Sequence, residues 1–267
     1  MRANHLKSRL SQGACAWGTS LEDCLDPEMP LLLRRAGLNF FFIDTEHSPA
    51  HHAQIQALCR TAAAAGITPL VRVTEGVPHL ITRMLDVGAQ GVIVPRVTSA
   101  EAAAMVVDCV KFTPLGHRGF GLRSIVTDLE MGGAAEHIAA CNRESMVVLQ
   151  IESVEGLENV ERIAAVPHID ALFIGPYDLS LSMGIVEEFE HPRFWHAVDR
   201  VFAAARAAGI AAGLQSRDIP LLKKARERGG RFLLYGSDSS VLYWGYRGAL
   251  RELGVEEAPT QAKPLLY

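Results

Sequence analysis

Eight short apolar segments alternate with longer amphipathic ones along the chain, and this alternation limits the possible folds more than any other feature. Several of the short segments are apolar throughout, as is typical of parallel strands covered on both faces. The segments between them are rich in alanine, leucine and glutamate, and several end at a glycine that suits a helix C-terminus. Eight strand–helix repeats predict an α/β fold, a (β/α)8 TIM barrel. We predict strands over 14–19, 40–44, 68–73, 91–97, 146–152, 171–175, 210–214 and 231–235.

The spacing of the strands favours one domain over two. Most gaps between strand ends fit a single strand–helix unit, and the longest gap lies between the fourth and fifth strands. No linker rich in proline, glycine and serine divides the chain, so we predict a single domain over 1–267. The last helix carries Tyr243, Trp244 and Tyr246, and we expect the segment 241–267 to lie at a subunit interface.

Charge and cysteine content exclude several classes of protein. The 267 residues include 26 Lys+Arg and 30 Asp+Glu, for a net charge of −4, and form no basic stripe for nucleic acid or a membrane surface. No apolar run approaches the roughly 18 residues of a membrane-spanning helix, and the N-terminus does not resemble a signal peptide. Five cysteines without a C-x-x-C pair indicate reduced thiols, so we expect a cytoplasmic protein.

Polar residues collect where the predicted strands end. The carboxyl ends of barrel strands form one face, which is where barrel enzymes carry their active sites. Five of the eight strands end in groups suited to chemistry, which favours an enzyme over a scaffold. These residues are Asp44, Glu46, His47, Arg72, Gln150, Glu152, Asp178 and Gln215.

Glu152 and Asp178 are the best candidates for metal ligands. They follow adjacent strands, so their carboxylates are expected to converge. Two carboxylates, with the other positions left to water or substrate, suit Mg²⁺ or Mn²⁺. The structural alternative is that Glu152 caps the next helix and that Asp178 is the N-cap of a helix beginning near residue 179.

Arg72 is a candidate for binding an anionic group of the substrate, and His47 is a candidate for acid/base catalysis. Arg72 ends an apolar strand, and its guanidinium suits a carboxylate or a developing enolate oxygen; alternatively it pairs structurally with Asp44 or Glu46. His47 is a candidate general acid/base with Asp86 as a possible orienting partner, although a lone histidine is as often structural.

The lysines argue against one mechanism. A Schiff-base aldolase requires a buried lysine inside the barrel, and none of the five lysines lies in a predicted strand. A metal-dependent enolate route is therefore favoured. The turn Gly175-Pro176-Tyr177-Asp178 leads from a strand into a helix, and main-chain N–H groups there are suited to hold a carboxylate.

Taken together, six segments resemble the HpcH/HpaI aldolase family of metal-dependent class II pyruvate aldolases, which includes hydroxyheptenedioate and dehydrodeoxyglucarate aldolases. They spread over most of the chain in the family's order. The resemblance implies a TIM barrel of the phosphoenolpyruvate/pyruvate type, assembled as a homohexamer, a trimer of dimers that exchange the eighth helix. The segments are FFIDTEHSP (41–49), TPLVRV (68–73), MLDVGAQGVIVPRV (84–97), KFTPLGHRGFG (111–121), VVLQIESVEGLENVERIAAV (147–166) and IDALFIGPYDLSLSMG (169–184).

The resemblance also implies an activity: reversible cleavage of a 4-hydroxy-2-keto acid to pyruvate and an aldehyde through a metal-stabilised enolate. The implied cofactor is Mg²⁺ or Mn²⁺, with Co²⁺ as an alternative. The roles implied are metal binding by Glu152 and Asp178, keto-oxygen binding by Arg72, acid/base work by His47 with Asp86, and carboxylate binding by the amides of Tyr177 and Asp178. Further residues are placed around the substrate or behind these groups: Gln150, Gly175, Pro176, Gln215, Asp44 and Glu46.

Departures from the family pattern fall on the aldehyde side and leave the substrate open. They include Thr45, Tyr177, the polar Gln215 and Ser216, and the segment 21–30. The residues leave two other functions open. One is a lyase for a CoA thioester of the citramalyl or malyl type, which the low lysine count disfavours. The other is a non-catalytic barrel that binds a keto acid.

Overall fold

Eight parallel strands close into a barrel in which each strand pairs with its sequence neighbours and β1 pairs with β8. The computed structural model describes residues 2–121 and 124–255. The predicted TIM barrel is thus confirmed, with strand ends within a few residues of the predicted ones. The strands are β1 Ala16–Leu21, β2 Phe40–Asp44, β3 Thr68–Arg72, β4 Gly91–Val94, β5 Met146–Ile151, β6 Ala171–Ile174, β7 Ala211–Ser216 and β8 Phe232–Ser237.

Helices cover the outside of the barrel, and the described part of the long connection between β4 and β5 contains three of them. The connection between β5 and β6 contains two short helices that meet at Asn159. The helices are α1 His5–Ser11, α2 Met29–Arg35, α3 His52–Ala65, α4 Pro78–Asp86, α5 Ala100–Val110, α6 Ser124–Thr127, α7 Ala134–Glu144, α8 Val154–Glu158, α9 Val160–Ala164, α10 Pro176–Ser182, α11 Pro192–Ala207, α12 Ile219–Glu227 and α13 Asp238–Glu252. No helix in the described part of the chain combines the length and apolar character needed to cross a bilayer.

Aromatic side chains fill the barrel interior. Phe40 and Phe232 stack with ring centroids 4.5 Å apart, and Phe173 meets Phe232 edge-on at 5.7 Å. Gly18 on β1 leaves room for the Phe40 ring, because a Cβ there would lie 2.6 Å from it. With the interior packed, only the two ends of the barrel are available for polar chemistry.

Helix α1 closes the amino-terminal end of the barrel. The Asn4 side chain before it donates to the main-chain carbonyls of Gln90 and Glu144, which precede β4 and β5. Lys111 lies at the same end, 1% exposed, and its Nζ donates to the carbonyls of Asn142 (2.9 Å) and Ser145 (2.6 Å). Burial lowers the pKa of Lys111 to about 8. This buried lysine therefore lies at the end of the barrel opposite the carboxyl ends of the strands.

Replacing Lys111 with methionine removes a buried charge and also the donor to two buried carbonyls, so the pH dependence of the free energy of unfolding reports this lysine better than its value at one pH. The folded-state pKa of about 8 is below the ordinary 10.5, so this lysine disfavours folding most below pH 8. The wild type should gain stability between pH 8 and 10.5, and Lys111→Met should lack that gain. Denaturant titrations across this pH range test both points, with the exposed Lys223→Met as control. A flat difference between the two proteins across the range contradicts the assignment.

Candidate active site

A cavity of about 570 Å³ opens at the carboxyl ends of the strands, the face where barrel active sites lie. Nine of the residues predicted from the sequence line it, drawn from β2, β3, β5, β7 and the start of α10. The cavity is lined by Glu22, Asp44, His47, Arg72, Gln150, Phe173, Gly175, Pro176, Tyr177, Asp178, Leu181, Val186, Glu187, Gln215 and Ser216.

Glu152 follows β5 directly and is 6% exposed. Its Oε1 accepts a hydrogen bond from the Arg96 main-chain N–H at 2.8 Å, and its Oε2 accepts one from the Gln150 side chain. Burial raises the pKa of Glu152 to about 7, and the nearby charges of Asp178 and Glu46 raise it further despite the two hydrogen bonds. The carboxylate does not cap α8, because the Ser153 hydroxyl does so. A buried acid of this kind is stabilised in its ionised form by a cation.

Gln150 and Gly175 shape the space around this carboxylate. The Gln150 Oε1 is buried and has no hydrogen-bond donor in the described structure. Gly175 comes so close that a Cβ there would lie 2.5 Å from Glu152 Oε2 and 2.8 Å from Gln150 Nε2. The glycine is therefore needed for the position of the acid, and one amide oxygen beside it is left without a partner.

Changing Gly175 to alanine is expected to reduce activity roughly 10- to 100-fold, because the new methyl group displaces the Glu152 carboxylate. The φ of Gly175 is −85°, a value any residue adopts, so the substitution adds no backbone strain. Steady-state kinetics and thermal unfolding together measure the effect, and Gly119→Ala, with open space around its Cβ position, is the matched control. Full activity in Gly175→Ala would show that the carboxylate position is not critical.

Asp178 lies in the first turn of α10 and lines the same cavity as Gln150. The helix begins at Pro176 with Gly175 as its N-cap, so the alternative in which Asp178 caps a helix starting near residue 179 is wrong. The proline suits this first position because its missing N–H would have no intrahelical acceptor there. The Asp178 side chain is thereby left available to the cavity.

Arg72 and Asp44 form a two-point ion pair at the ends of β2 and β3. Arg72 Nε and Nη2 lie 2.9 and 2.7 Å from the two carboxylate oxygens of Asp44, which is fully buried. The guanidinium also lies 5.4 Å from the centre of the Phe42 ring. The ion pair expected as the alternative, structural role of Arg72 is therefore present, and Arg72 also lines the cavity. Asp44 fixes the direction of the guanidinium.

Glu46 and His47 follow β2 on the rim. Glu46 contacts Arg96 Nη2 at 2.5 Å and Arg72 Nε at 3.5 Å. Glu46 is not part of the cavity lining, but it contacts two arginines, of which Arg72 does line the cavity. The His47 side chain is 63% exposed, with its Nε2 3.8 Å from Glu46 Oε2. His47 therefore has access both to the cavity and to solvent.

Within the described chain, Asp86 does not meet His47, and the expected pairing is wrong for a single subunit. Asp86 is the last residue of α4, which runs from the carboxyl end of β3 back toward the amino end of β4. Its carboxylate pairs with Arg118 Nη2 at 2.6 Å. A residue at the end of an outer helix lies on the opposite side of the barrel from the rim that carries His47.

Sequence reasoning missed several residues that line the cavity, above all Glu22. The first strand was predicted to end at residue 19, whereas β1 reaches Leu21, so Glu22 directly follows it at the rim. Phe173 is a buried residue of β6, and Leu181, Val186 and Glu187 belong to the segment after β6. The unusual composition of 21–30 was the available signal for Glu22.

The site offers few further ligands or nucleophiles. Among residues 2–121 and 124–255, no three histidine, cysteine, aspartate or glutamate side chains cluster as a metal site. Glu152 and Asp178 would thus supply two carboxylates and leave the other coordination positions to water and substrate, as Mg²⁺ commonly requires. The buried Lys111 lies at the other end of the barrel and is not part of this cavity's lining.

Comparisons with known proteins agree with this arrangement. The model of the HpcH/HpaI aldolase/citrate lyase family matches residues 26–243. The chain is 34% identical over 254 residues to a hydroxypyruvate/pyruvate aldolase of Paraburkholderia phytofirmans, covering 94% of this chain and 97% of that protein. It is 32% identical over 239 residues to a 2-keto-3-deoxy-L-rhamnonate aldolase of Salmonella gallinarum, covering 90% and 89% of the two chains.

Comparison with solved structures identifies the same family. The crystal structure of an HpcH/HpaI aldolase from Desulfitobacterium hafniense superposes with a TM-score of 0.90 at 34% sequence identity, covering 98% of this chain and all of the other. The family match spans most of the chain, and the two curated relatives cover nearly all of it. This chain therefore belongs to the HpcH/HpaI aldolase/citrate lyase family.

Proposed function

We propose that the chain is a divalent-metal-dependent aldolase that reversibly cleaves a 4-hydroxy-2-keto acid to pyruvate and an aldehyde. Its relatives are named as aldolases of pyruvate, hydroxypyruvate and a keto-deoxy sugar acid. The single observation that carries the proposal is the buried Glu152 carboxylate, which has a raised pKa and lies near the Asp178 charge beside a cavity that also contains Arg72.

The residues present fit a hard divalent cation. Burial and the neighbouring Asp178 disfavour ionised Glu152, and a bound cation would relieve both costs. Gly175 leaves the space, and the Gln150 side chain beside Glu152 has a buried oxygen that accepts no hydrogen bond in the described structure. Mg²⁺ or Mn²⁺ prefers such oxygen ligands, with Co²⁺ as an alternative. When bound by Glu152 and Asp178, the metal would act as a Lewis acid on the keto acid.

The chain's own residues would position the substrate. Arg72, fixed by Asp44, directs its guanidinium at the developing negative charge on the keto oxygen. Tyr177 and Asp178 lie in the first turn of α10, and main-chain N–H groups at a helix N-terminus suit the keto acid's carboxylate. His47 would take the proton from the C4 hydroxyl as the C3–C4 bond breaks, and protonation of the enolate at C3 would then give pyruvate. The reverse direction removes a C3 proton first and returns a proton to the C4 oxygen.

The direct test is exchange of the pyruvate methyl protons in D₂O, followed by NMR with Mg²⁺ or Mn²⁺ and again with a chelator. Exchange that depends on the metal is expected, because it reports loss of a C3 proton and needs no aldehyde. Absence of exchange under both conditions would show that pyruvate is not the donor. A CoA thioester lyase is disfavoured, because the described cavity lining has four carboxylates and a single arginine, a poor match for the phosphates of CoA.

We also propose a cytoplasmic homo-oligomer, with 1–267 as one domain. The five cysteines form no disulfide, which suits a reducing compartment. Helix α13 exposes Val241, Leu242, Tyr246 and Leu250, between 42% and 69% of each residue, and a second copy of the chain would cover them. Residues 256–267 of the expected interface segment lie outside the described residues. Light scattering on the purified protein measures the oligomeric state.

A further inference from the structure

Glu22 is held in a fixed position in the cavity wall. It follows β1, and its Oε1 accepts a hydrogen bond from the Ser20 hydroxyl at 2.6 Å. The Ser20 Oγ in turn accepts one from Gln215 Nε2 at 2.8 Å, and Gln215 Nε2 is anchored on the Gly236 carbonyl at 2.8 Å. A chain of three side chains across β1 and β7 thus orients the carboxylate.

The backbone under Glu22 is fixed as well. The Asp238 carboxylate, 5% exposed, accepts hydrogen bonds from the main-chain N–H groups of Glu22 (3.2 Å), Asp23 (3.1 Å) and Cys24 (2.6 Å). Burial raises the pKa of Glu22, and the charges of Asp44 and Asp238 contribute in the same direction. Glu22 is therefore a half-buried carboxylate on an ordered turn, which distinguishes it from a mobile surface acid.

The charges around the cavity restrict what binds beside Glu22. Its lining includes four carboxylates, those of Glu22, Asp44, Asp178 and Glu187, but Arg72 is the single arginine or lysine in it. Arg72 is already paired with Asp44. Within the described lining, no unpaired arginine or lysine is left to receive a second carboxylate of a substrate. Hydroxyl groups, by contrast, are good donors to a fixed carboxylate.

We propose that Glu22, oriented by Ser20 and Gln215, binds a hydroxyl group of the aldehyde part of the substrate. The inference rests on the proposed aldolase function and adds its substrate class: neutral, hydroxylated aldehydes, with aldehydes that carry a carboxylate rejected by charge repulsion. The Ser216 hydroxyl lines the same cavity; its oxygen accepts a hydrogen bond from the Asp218 main-chain N–H at 3.0 Å, and its own hydrogen can be donated to a second polar group of the substrate.

The test compares three aldehydes as acceptors for pyruvate: glyceraldehyde, propionaldehyde and succinic semialdehyde. Wild type is expected to favour glyceraldehyde. In Glu22→Gln, kcat/KM should fall about 10-fold for glyceraldehyde, stay unchanged for propionaldehyde, and rise about 10-fold for succinic semialdehyde. Ser20→Ala removes the hydrogen bond that orients Glu22 but keeps its carboxylate. In this variant kcat/KM should change in the same directions, by smaller factors, for glyceraldehyde and succinic semialdehyde, and stay unchanged for propionaldehyde. Glu75→Gln, an exposed acid on the loop after β3, is the matched control and should change none of them.

Two results would overturn the inference: a wild-type preference for succinic semialdehyde, or an equal change for all three aldehydes in Glu22→Gln. Proton exchange of pyruvate alone separates this failure from failure of the proposed function. Exchange at wild-type rate in Glu22→Gln is expected, because Glu22 would act on the aldehyde. If wild type itself exchanges no protons, the aldolase proposal fails, and the proposal for Glu22 fails with it. Ser20→Ala provides the selectivity measurement should Glu22→Gln not fold.

Discussion

Replacing Glu152 with glutamine is expected to lower kcat/KM for aldol cleavage by roughly 1,000-fold, which corresponds to about 4 kcal/mol of transition-state stabilisation. The substitution removes one of the two carboxylates proposed to bind the metal and keeps the size of the side chain. The new amide oxygen still accepts the Arg96 N–H. Gln150 has a buried oxygen without a donor, so turning its amide lets it accept a hydrogen bond from the new amide nitrogen.

Glu152→Gln should fold, so the fall in kcat/KM can be attributed to the missing carboxylate and not to unfolding. Burial already disfavours the ionised carboxylate of Glu152, so the metal-free variant is expected to be at least as stable as the metal-free wild type. Isothermal titration with Mn²⁺ should show weakened binding, and a coupled assay of pyruvate release measures turnover. Glu155→Gln, an exposed acid at the start of α8, is the control. Activity within about tenfold of wild type, with Mn²⁺ affinity unchanged, would exclude Glu152 as a ligand.

The sequence predicted the fold, the family and the aldolase class, and all three are confirmed. The reason is that a buried parallel strand has a local signature, a continuous apolar run followed by a helical segment. The same rule brings residues after different strands to one rim, so the positions of Arg72, Gln150 and Asp178 around one cavity followed from their places in the chain.

Contacts that depend on tertiary structure could not be predicted in this way. Asp86 pairs with Arg118, a residue 32 positions away in an irregular segment, and no local pattern indicates that partner. Lys111 lies outside every strand, so nothing in its neighbours showed that it would be buried at the closed end of the barrel. Glu22 was missed because the first strand extends two residues beyond its predicted end.

Substitution of Arg72 is also expected to reduce activity strongly. The ion pair between Arg72 and Asp44 determines which substitution gives an interpretable result. Removing the side chain by Arg72→Ala would leave Asp44 buried and unpaired, at a cost of about 3–5 kcal/mol in stability. The activity of that variant would then report unfolding as well as chemistry. Arg72→Lys keeps a positive charge beside Asp44 and loses the planar, two-point geometry of the guanidinium.

Arg72→Lys is expected to lower kcat/KM by roughly 100-fold, the cost of removing one well-placed donor to a developing oxyanion. The loss should fall mainly on kcat, because the donor matters most when charge has developed on the keto oxygen. Thermal unfolding should change little, and pyruvate proton exchange should slow in proportion to kcat. Arg83→Lys, an exposed arginine on α4, is the control. Wild-type kcat in Arg72→Lys would mean that Arg72 serves only as the partner of Asp44, and that the keto oxygen is bound by other groups of the rim.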